Sequence, residues 1–192
     1  MFQLKKHYLL LLIAPLLLAF STNGLEGIFG LKLKNLENEP FALAQLKRNK
    51  ASVIVFLLPD CPACESYSKK LSDLQKKFTD ANINFYGVFP GNYNTVSEMQ
   101  EYQKTYKINF PLLQDPKNLL VKAFHAGIVP SAFVVDNMGN ILYKGRIDDW
   151  MYALGKKRAV ITKHDLRDAL VAIQENKVIL VKETKAIGCI IE

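Results

Sequence analysis

Along this chain the spacing of apolar positions changes several times, and each change marks an element. Leu31 to Asn35 alternates apolar and polar, the period of a short half-buried strand, and Phe41-Ala42-Leu43 is placed to pair beside it. Ala51 to Leu58 reads ASVIVFLL, an apolar run between Lys50 and Pro59. Its length and β-branched residues predict a strand buried on both faces. The period then becomes helical: Tyr67, Leu71, Leu74 and Phe78 recur at spacings of four, three and four, so Cys61 to Thr79 is an amphipathic helix.

Ile83 to Val88 is the next strand. Thr95 with Glu98 forms a capping box, and Val96, Met99, Tyr102 and Tyr106 give the buried stripe of the helix it starts. Phe110 to Leu113 is a short strand, and Asp115-Pro116 opens a brief helix through Phe124 with Asp as cap and Pro at the first helical position. Ser131–Val135 and Ile141–Lys144 flank the turn residues 136–140 as a hairpin. Thr162 and Asp165 form an acidic capping box for a last helix carrying Leu166, Leu170 and Ile173, and Val178 to Val181 is a candidate edge strand. The order is β-α-β-α-β-α-β-β-α behind a strand pair, which predicts an α/β protein whose mixed sheet is covered on both faces.

The N-terminus follows another logic. Lys5 and Lys6 precede thirteen uncharged residues from Tyr8 to Phe20, and small residues Ala19 and Ser21 lie at the exit. That pattern is a secretory signal peptide, residues 1–21, with an uncleaved N-terminal anchor as the alternative. Residues 22–30 follow as a linker, 31–177 as one domain, and 178–192 as a C-terminal tail containing Cys189. Export places the protein in the periplasm or another extracytoplasmic space, where disulfides persist.

At 192 residues and 49% hydrophobic, the chain has enough core to fold without disulfide staples. Its formal charge is +7, and loss of residues 1–21 removes two lysines and no acids, leaving +5. The lysines are scattered or paired rather than set in a basic run with aromatics, which excludes a nucleic-acid partner. The excess leaves room for membrane proximity through anionic lipid.

The chemistry centres on Cys61-Pro62-Ala63-Cys64, where the buried strand gives way to the helix. A cysteine there meets unpaired backbone N–H groups and the positive end of the helix dipole. Both stabilise a thiolate, and the pKa in such motifs falls from about 8.5 to roughly 3.5–7.5. Cys61, the more N-terminal and more exposed, is the expected attacking sulfur. Cys64, one turn on, resolves the mixed disulfide by attacking Cys61. Pro62 suits the first helical turn because it lacks an N–H. Zinc is disfavoured, since the chain offers only Cys189, His125 and His164 beside the pair after residue 21. An inert disulfide and a Cu(I) clasp of the two thiolates with a histidine are the other readings.

A strand into CPAC, followed by Ile128-Val129-Pro130-Ser131 and a hairpin, resembles the thioredoxin superfamily. Within it the chain resembles the exported thiol–disulfide oxidoreductase and redoxin branch (TlpA-like, AhpC/TSA-related). The segments 142–149, 166–170 and 183–190, the last ending in Gly188-Cys189-Ile190, resemble a subgroup of it. The resemblance implies a thioredoxin-like three-layer α/β/α fold with a mixed central sheet, a cis Pro130 facing the cysteines, and a Val129 backbone that pairs with an extended substrate. It implies no cofactor and no metal, a protein substrate carrying a disulfide or dithiol, and an upstream redox partner protein.

Several residues depart from that pattern. Asp60 stands where many relatives have Trp; it is a candidate helix cap that would also raise a neighbouring thiol. Val55 replaces the buried carboxylate of thioredoxins, and Glu65 is the nearest candidate proton relay. Peroxiredoxins carry Thr at the position of Leu58, which cannot donate a hydrogen bond. A thiol peroxidase with Cys61 attacking peroxide and Arg146 as cation is one alternative function, and a non-enzymatic copper-delivery protein is another. Cys189 is left open between a third redox thiol, an intermolecular disulfide site and a buried cysteine.

Overall fold

Residues 26–192 are described by a computed structural model; the signal or anchor expected at 1–21 lies outside them. Among the described residues no helix is long and apolar enough to cross a membrane. Residues 26–30 form a 3-10 turn that sends Ile28 and Phe29 into the core.

The expected alternation of strands and helices is present. In chain order the elements are β1 (Lys32–Asn35), β2 (Pro40–Ala42), β3 (Ala51–Phe56), α1 (Pro62–Phe78), β4 (Ile83–Pro90), α2 (Val96–Thr105) and β5 (Leu112–Asp115). They continue with α3 (Leu119–Phe124), β6 (Ile128–Val129), β7 (Ser131–Asp136), β8 (Ile141–Gly145), β9 (Met151–Ala153), β10 (Lys156–Lys157), α4 (Asp165–Gln174) and β11 (Cys189–Ile190). Seven strands form one mixed sheet in the order β2-β1-β5-β4-β3-β7-β8. β3 runs parallel to β4 and antiparallel to β7.

The apolar run of β3 is buried at every position because helices flank the sheet on both faces, giving a thioredoxin-like α/β/α fold. Phe56 packs edge-on against Phe133 and against Phe124 of α3. Tyr102 of α2 packs edge-on against Phe89, and its hydroxyl shares a 2.6 Å hydrogen bond with Ser68 of α1.

Four local expectations are corrected. Asp115 stops the α3 donors from the end of β5: its carboxylate accepts from the Leu119 and Leu120 amides at 2.7 and 2.8 Å, so the helix starts three residues later than Pro116. Thr162 does not cap α4; its hydroxyl donates to Asp149 instead, and His164 takes the cap position without a side-chain bond. Asp60 is exposed and does not cap α1, because Cys61 itself holds that position. Val178 to Val181 forms no strand: an apolar run needs a partner edge, and Leu180 is 94% exposed.

Candidate active site

Sequence order alone delivers Cys61 to the end of the sheet. β3 ends at Phe56, residues 57–60 turn, and Cys61 becomes the N-cap of α1 with Pro62 in the first helical turn. Its side chain makes no capping bond to the first-turn amides, and the residue sits at the positive end of the helix. Across from it the Val129–Pro130 peptide is cis, and Cys61 Sγ lies 3.6 Å from the Val129 carbonyl oxygen. CPAC, Val129 and Pro130 are thus brought together at one end of the sheet.

The sulfur's partner differs from expectation. Cys61 is joined to Cys189, 128 residues away in sequence, with Cα atoms 6.2 Å apart, and Cys64 is the free thiol. Cys61 is therefore 1% exposed rather than open, because the C-terminal tail lies over it. β11 runs antiparallel to β6 with Cys189 opposite Val129 and Ile190 opposite Ile128. The Ile191 amide donates to the Gly127 carbonyl at 3.0 Å, and the Tyr93 hydroxyl donates to the main-chain oxygen of Glu192 at 2.7 Å. Beside the disulfide is a cavity of about 260 Å³ lined by Leu58, Asp60, Tyr93, Ile191 and both sulfur-bearing residues.

Two glycines admit this tail. A Cβ on Gly188 would run into the Val129 carbonyl, 2.7 Å from its carbon and 3.2 Å from Pro130 Cδ. Gly145, at φ +137°, would press a Cβ against Thr184. Thr184 is the upstream anchor: its hydroxyl shares a 2.7 Å bond with the Tyr143 hydroxyl and accepts from the Arg146 amide, and its own amide donates to Lys144. Sequence reasoning missed Gly188, Thr184 and Tyr93; glycine directly before Cys189, with aliphatic residues after it, was the one local sign.

Cys64 lies fully buried one turn below Cys61. Burial pushes its thiol up to about 12; the Leu58 amide, donating to Sγ at 3.4 Å, opposes this, while Asp60 and Glu65 add to it. Desolvation dominates because a thiolate there has one amide and no cation to replace water. Glu65 is half-buried, and the Tyr106 phenol is raised by burial first and by Glu65 second. Burial, with a smaller contribution from both acids, keeps Cys64 protonated.

Arg146 is taken elsewhere. Its Nε donates to Asp165 at 2.7 Å, which raises the guanidinium further, and it does not line the cavity at Cys61. It pairs with neither Asp148 nor Asp149. Asp148 accepts from the Tyr67 hydroxyl and the Trp150 amide and pairs with Lys70. The Thr162 hydroxyl and the Lys163 amide hold Asp149 below the usual carboxylate range.

None of the curated proteins matches the sequence. Among solved structures the fold is similar to an uncharacterized conserved protein from Geobacillus kaustophilus (23% identity, 84% of this chain and 87% of that one, TM-score 0.76). It is equally similar to a hypothetical protein from Sinorhizobium meliloti 1021 (23%, 84% and 89%, TM-score 0.75). A secreted Mycobacterium tuberculosis disulfide oxidoreductase described as homologous to E. coli DsbE matches at 20% identity over 77% of this chain and 98% of that one, TM-score 0.59. The AhpC/TSA family model matches residues 28–144, more than half of the sequence. With a buried mixed sheet, a cysteine at the helix start and a proline facing it, the chain belongs to the AhpC/TSA family, within the thioredoxin superfamily.

Proposed function

We propose that the protein is a thiol–disulfide oxidoreductase that acts on protein substrates outside the cytoplasm, with Cys61 as the exchanging sulfur and Cys64 as the resolving thiol. One observation carries this reading: Cys61 is disulfide-bonded to a cysteine presented on an extended strand paired to Val129, beside cis Pro130. A protein substrate would have to present its sulfur in that way. Export rests on the N-terminal signal pattern and on the secreted nature of the Mycobacterium relative.

In the reductive direction, the Cys61 thiolate attacks a substrate disulfide and releases one substrate thiolate. Cys64 then loses its proton and attacks Cys61 Sγ, which breaks the mixed disulfide and frees the second substrate sulfur as a thiol. The product is a Cys61–Cys64 disulfide, which a partner dithiol reduces with two electrons. The reverse steps oxidise a substrate dithiol.

Two observations weigh against peroxide as the substrate. Leu58 offers no side-chain donor beside Cys61, and Arg146 is committed to Asp165. Turnover of insulin disulfides by reduced protein, with dithiothreitol as electron source, tests the proposal. Cys61→Ser should abolish it, and Cys64→Ser combined with Cys189→Ser should stall at a trapped mixed disulfide. Rapid sulfenic acid formation at Cys61 with hydrogen peroxide, alongside no insulin reduction, would point to the peroxidase instead.

A further inference from the structure

The tail is placed as a substrate would be, although it belongs to the same chain. Its two-residue ladder uses the Val129 edge, its cysteine bonds the exchanging sulfur, and Gly188 brings its backbone against Val129 and Pro130. Upstream, residues 182–184 are held to β8 through Lys144, Tyr143 and Arg146, and downstream residues 191 and 192 are held by Gly127 and Tyr93. These anchors lie on both sides of Cys189, so the segment is a built part of the fold. The central strand is nevertheless short, with Ile190 72% exposed, so releasing it disturbs little core.

We propose that Gly188–Ile191 is a tethered stand-in for the substrate, that the Cys61–Cys189 bond is a stored mixed disulfide, and that Cys64 discharges it by attacking Cys61, making Cys189 a third exchange-active residue. The inference rests on the reading of Cys61 as the exchanging sulfur and deepens it. The step balances without an outside oxidant or reductant. Cys64 gives up its proton, the Cys61–Cys64 bond forms as the Cys61–Cys189 bond breaks, and the departing Cys189 thiolate takes up a proton. The protein remains oxidised by two electrons throughout; only the position of the bond changes.

Two consequences follow for substrates. While the tail is seated, Cys61 is covered and the Val129 edge is occupied, so an incoming protein engages only after discharge. The seat also selects shape: the close approach of Gly188 to the Val129 carbonyl leaves no space for a Cβ. The substrate class is therefore an extended segment with glycine before its cysteine and aliphatic residues after it. Burial of Cys64 sets the pace, since only its thiolate attacks and the protonated form dominates below about pH 12.

Disulfide mapping of the full chain tests this directly. Protein isolated at pH 5 with the Cys61–Cys189 bond is jumped to pH 7, 8 or 9, quenched with acid, alkylated and digested. The expected result is conversion to Cys61–Cys64, about tenfold faster per pH unit because the thiolate fraction grows by that factor. Cys64→Ser should retain Cys61–Cys189 at every pH, and Cys189→Ser should form only Cys61–Cys64 and reduce insulin several-fold faster than wild type. Equal labelling of Cys189 in reduced wild type and in oxidised wild type held at pH 5 before the jump would overturn the proposal, as would a Cys61–Cys189 bond as persistent in wild type as in Cys64→Ser. If Cys189→Ser fails to reduce insulin while the bond still migrates in wild type, the exchange function itself falls and the tail loses its role as a substrate stand-in.

Discussion

Replacing Gly188 with alanine should shift the oxidised protein from one disulfide to the other. The added Cβ would collide with the Val129 carbonyl, a backbone group in a buried strand that cannot swing aside. The tail must lift instead, which breaks the β11–β6 ladder and the 3.0 Å bond from the Ile191 amide to Gly127. With about two net hydrogen bonds lost at roughly 1 kcal/mol each, the seated tail is weakened by about 2 kcal/mol. At about 1.4 kcal/mol per tenfold, the ratio of Cys61–Cys189 to Cys61–Cys64 should fall roughly 30-fold. Equilibration in a glutathione buffer, acid quench and quantitative peptide mapping give that ratio. Gly127→Ala is the control, because a Cβ there meets nothing within 4 Å, and the ratio should stay within about twofold of wild type. An unchanged ratio in Gly188→Ala would refute the close-approach argument.

The bond also has a stability signature. In oxidised Cys64→Ser the Cys61–Cys189 link spans 128 residues, and loop entropy gives it about 4–5 kcal/mol over the reduced form; the short Cys61–Cys64 link in Cys189→Ser should give less than half as much, read from urea midpoints. Asp148→Ala should cost about 3 kcal/mol by the same assay, since it strips the buried Tyr67 hydroxyl of its acceptor and Lys70 of its counter-ion. Asp149, held below its ordinary value of 3.8, adds stability that is present above that value and lost as pH falls through its lower folded value. Thr162→Val removes the strongest of its bonds, so urea midpoints between about pH 2 and 6 should fall less steeply on acidification than in wild type.

What the sequence made legible was local or periodic. The all-apolar β3, the 4-3-4 stripe of α1 and the Thr95–Glu98 box each carry their own evidence within a few residues. CPAC and Pro130 were legible as a pair only through the family resemblance, since their spacing alone does not bring them together. The misses depend on partners distant in sequence. Thr162 has the composition of a cap, but Asp149, thirteen residues earlier, captures its hydroxyl. Val178 to Val181 has the composition of a strand, but the sheet edge at β8 pairs instead with Lys182–Thr184. Cys189 was left open because a bond across 128 residues leaves no trace in spacing; only Gly188 beside it hinted at a close approach.

The central claim is that Cys61, at the start of the 17-residue helix α1, is a sulfur made acidic by the helix terminus. The most direct measurement is the rate of iodoacetamide labelling at Cys61 in fully reduced protein, followed from pH 4 to 10 by peptide mapping. The account predicts a midpoint well below 8.5, within the range of roughly 3.5–7.5 that such positions reach. A midpoint at or above 8.5 would contradict it, because Cys61 would then have no advantage as a nucleophile over any exposed thiol.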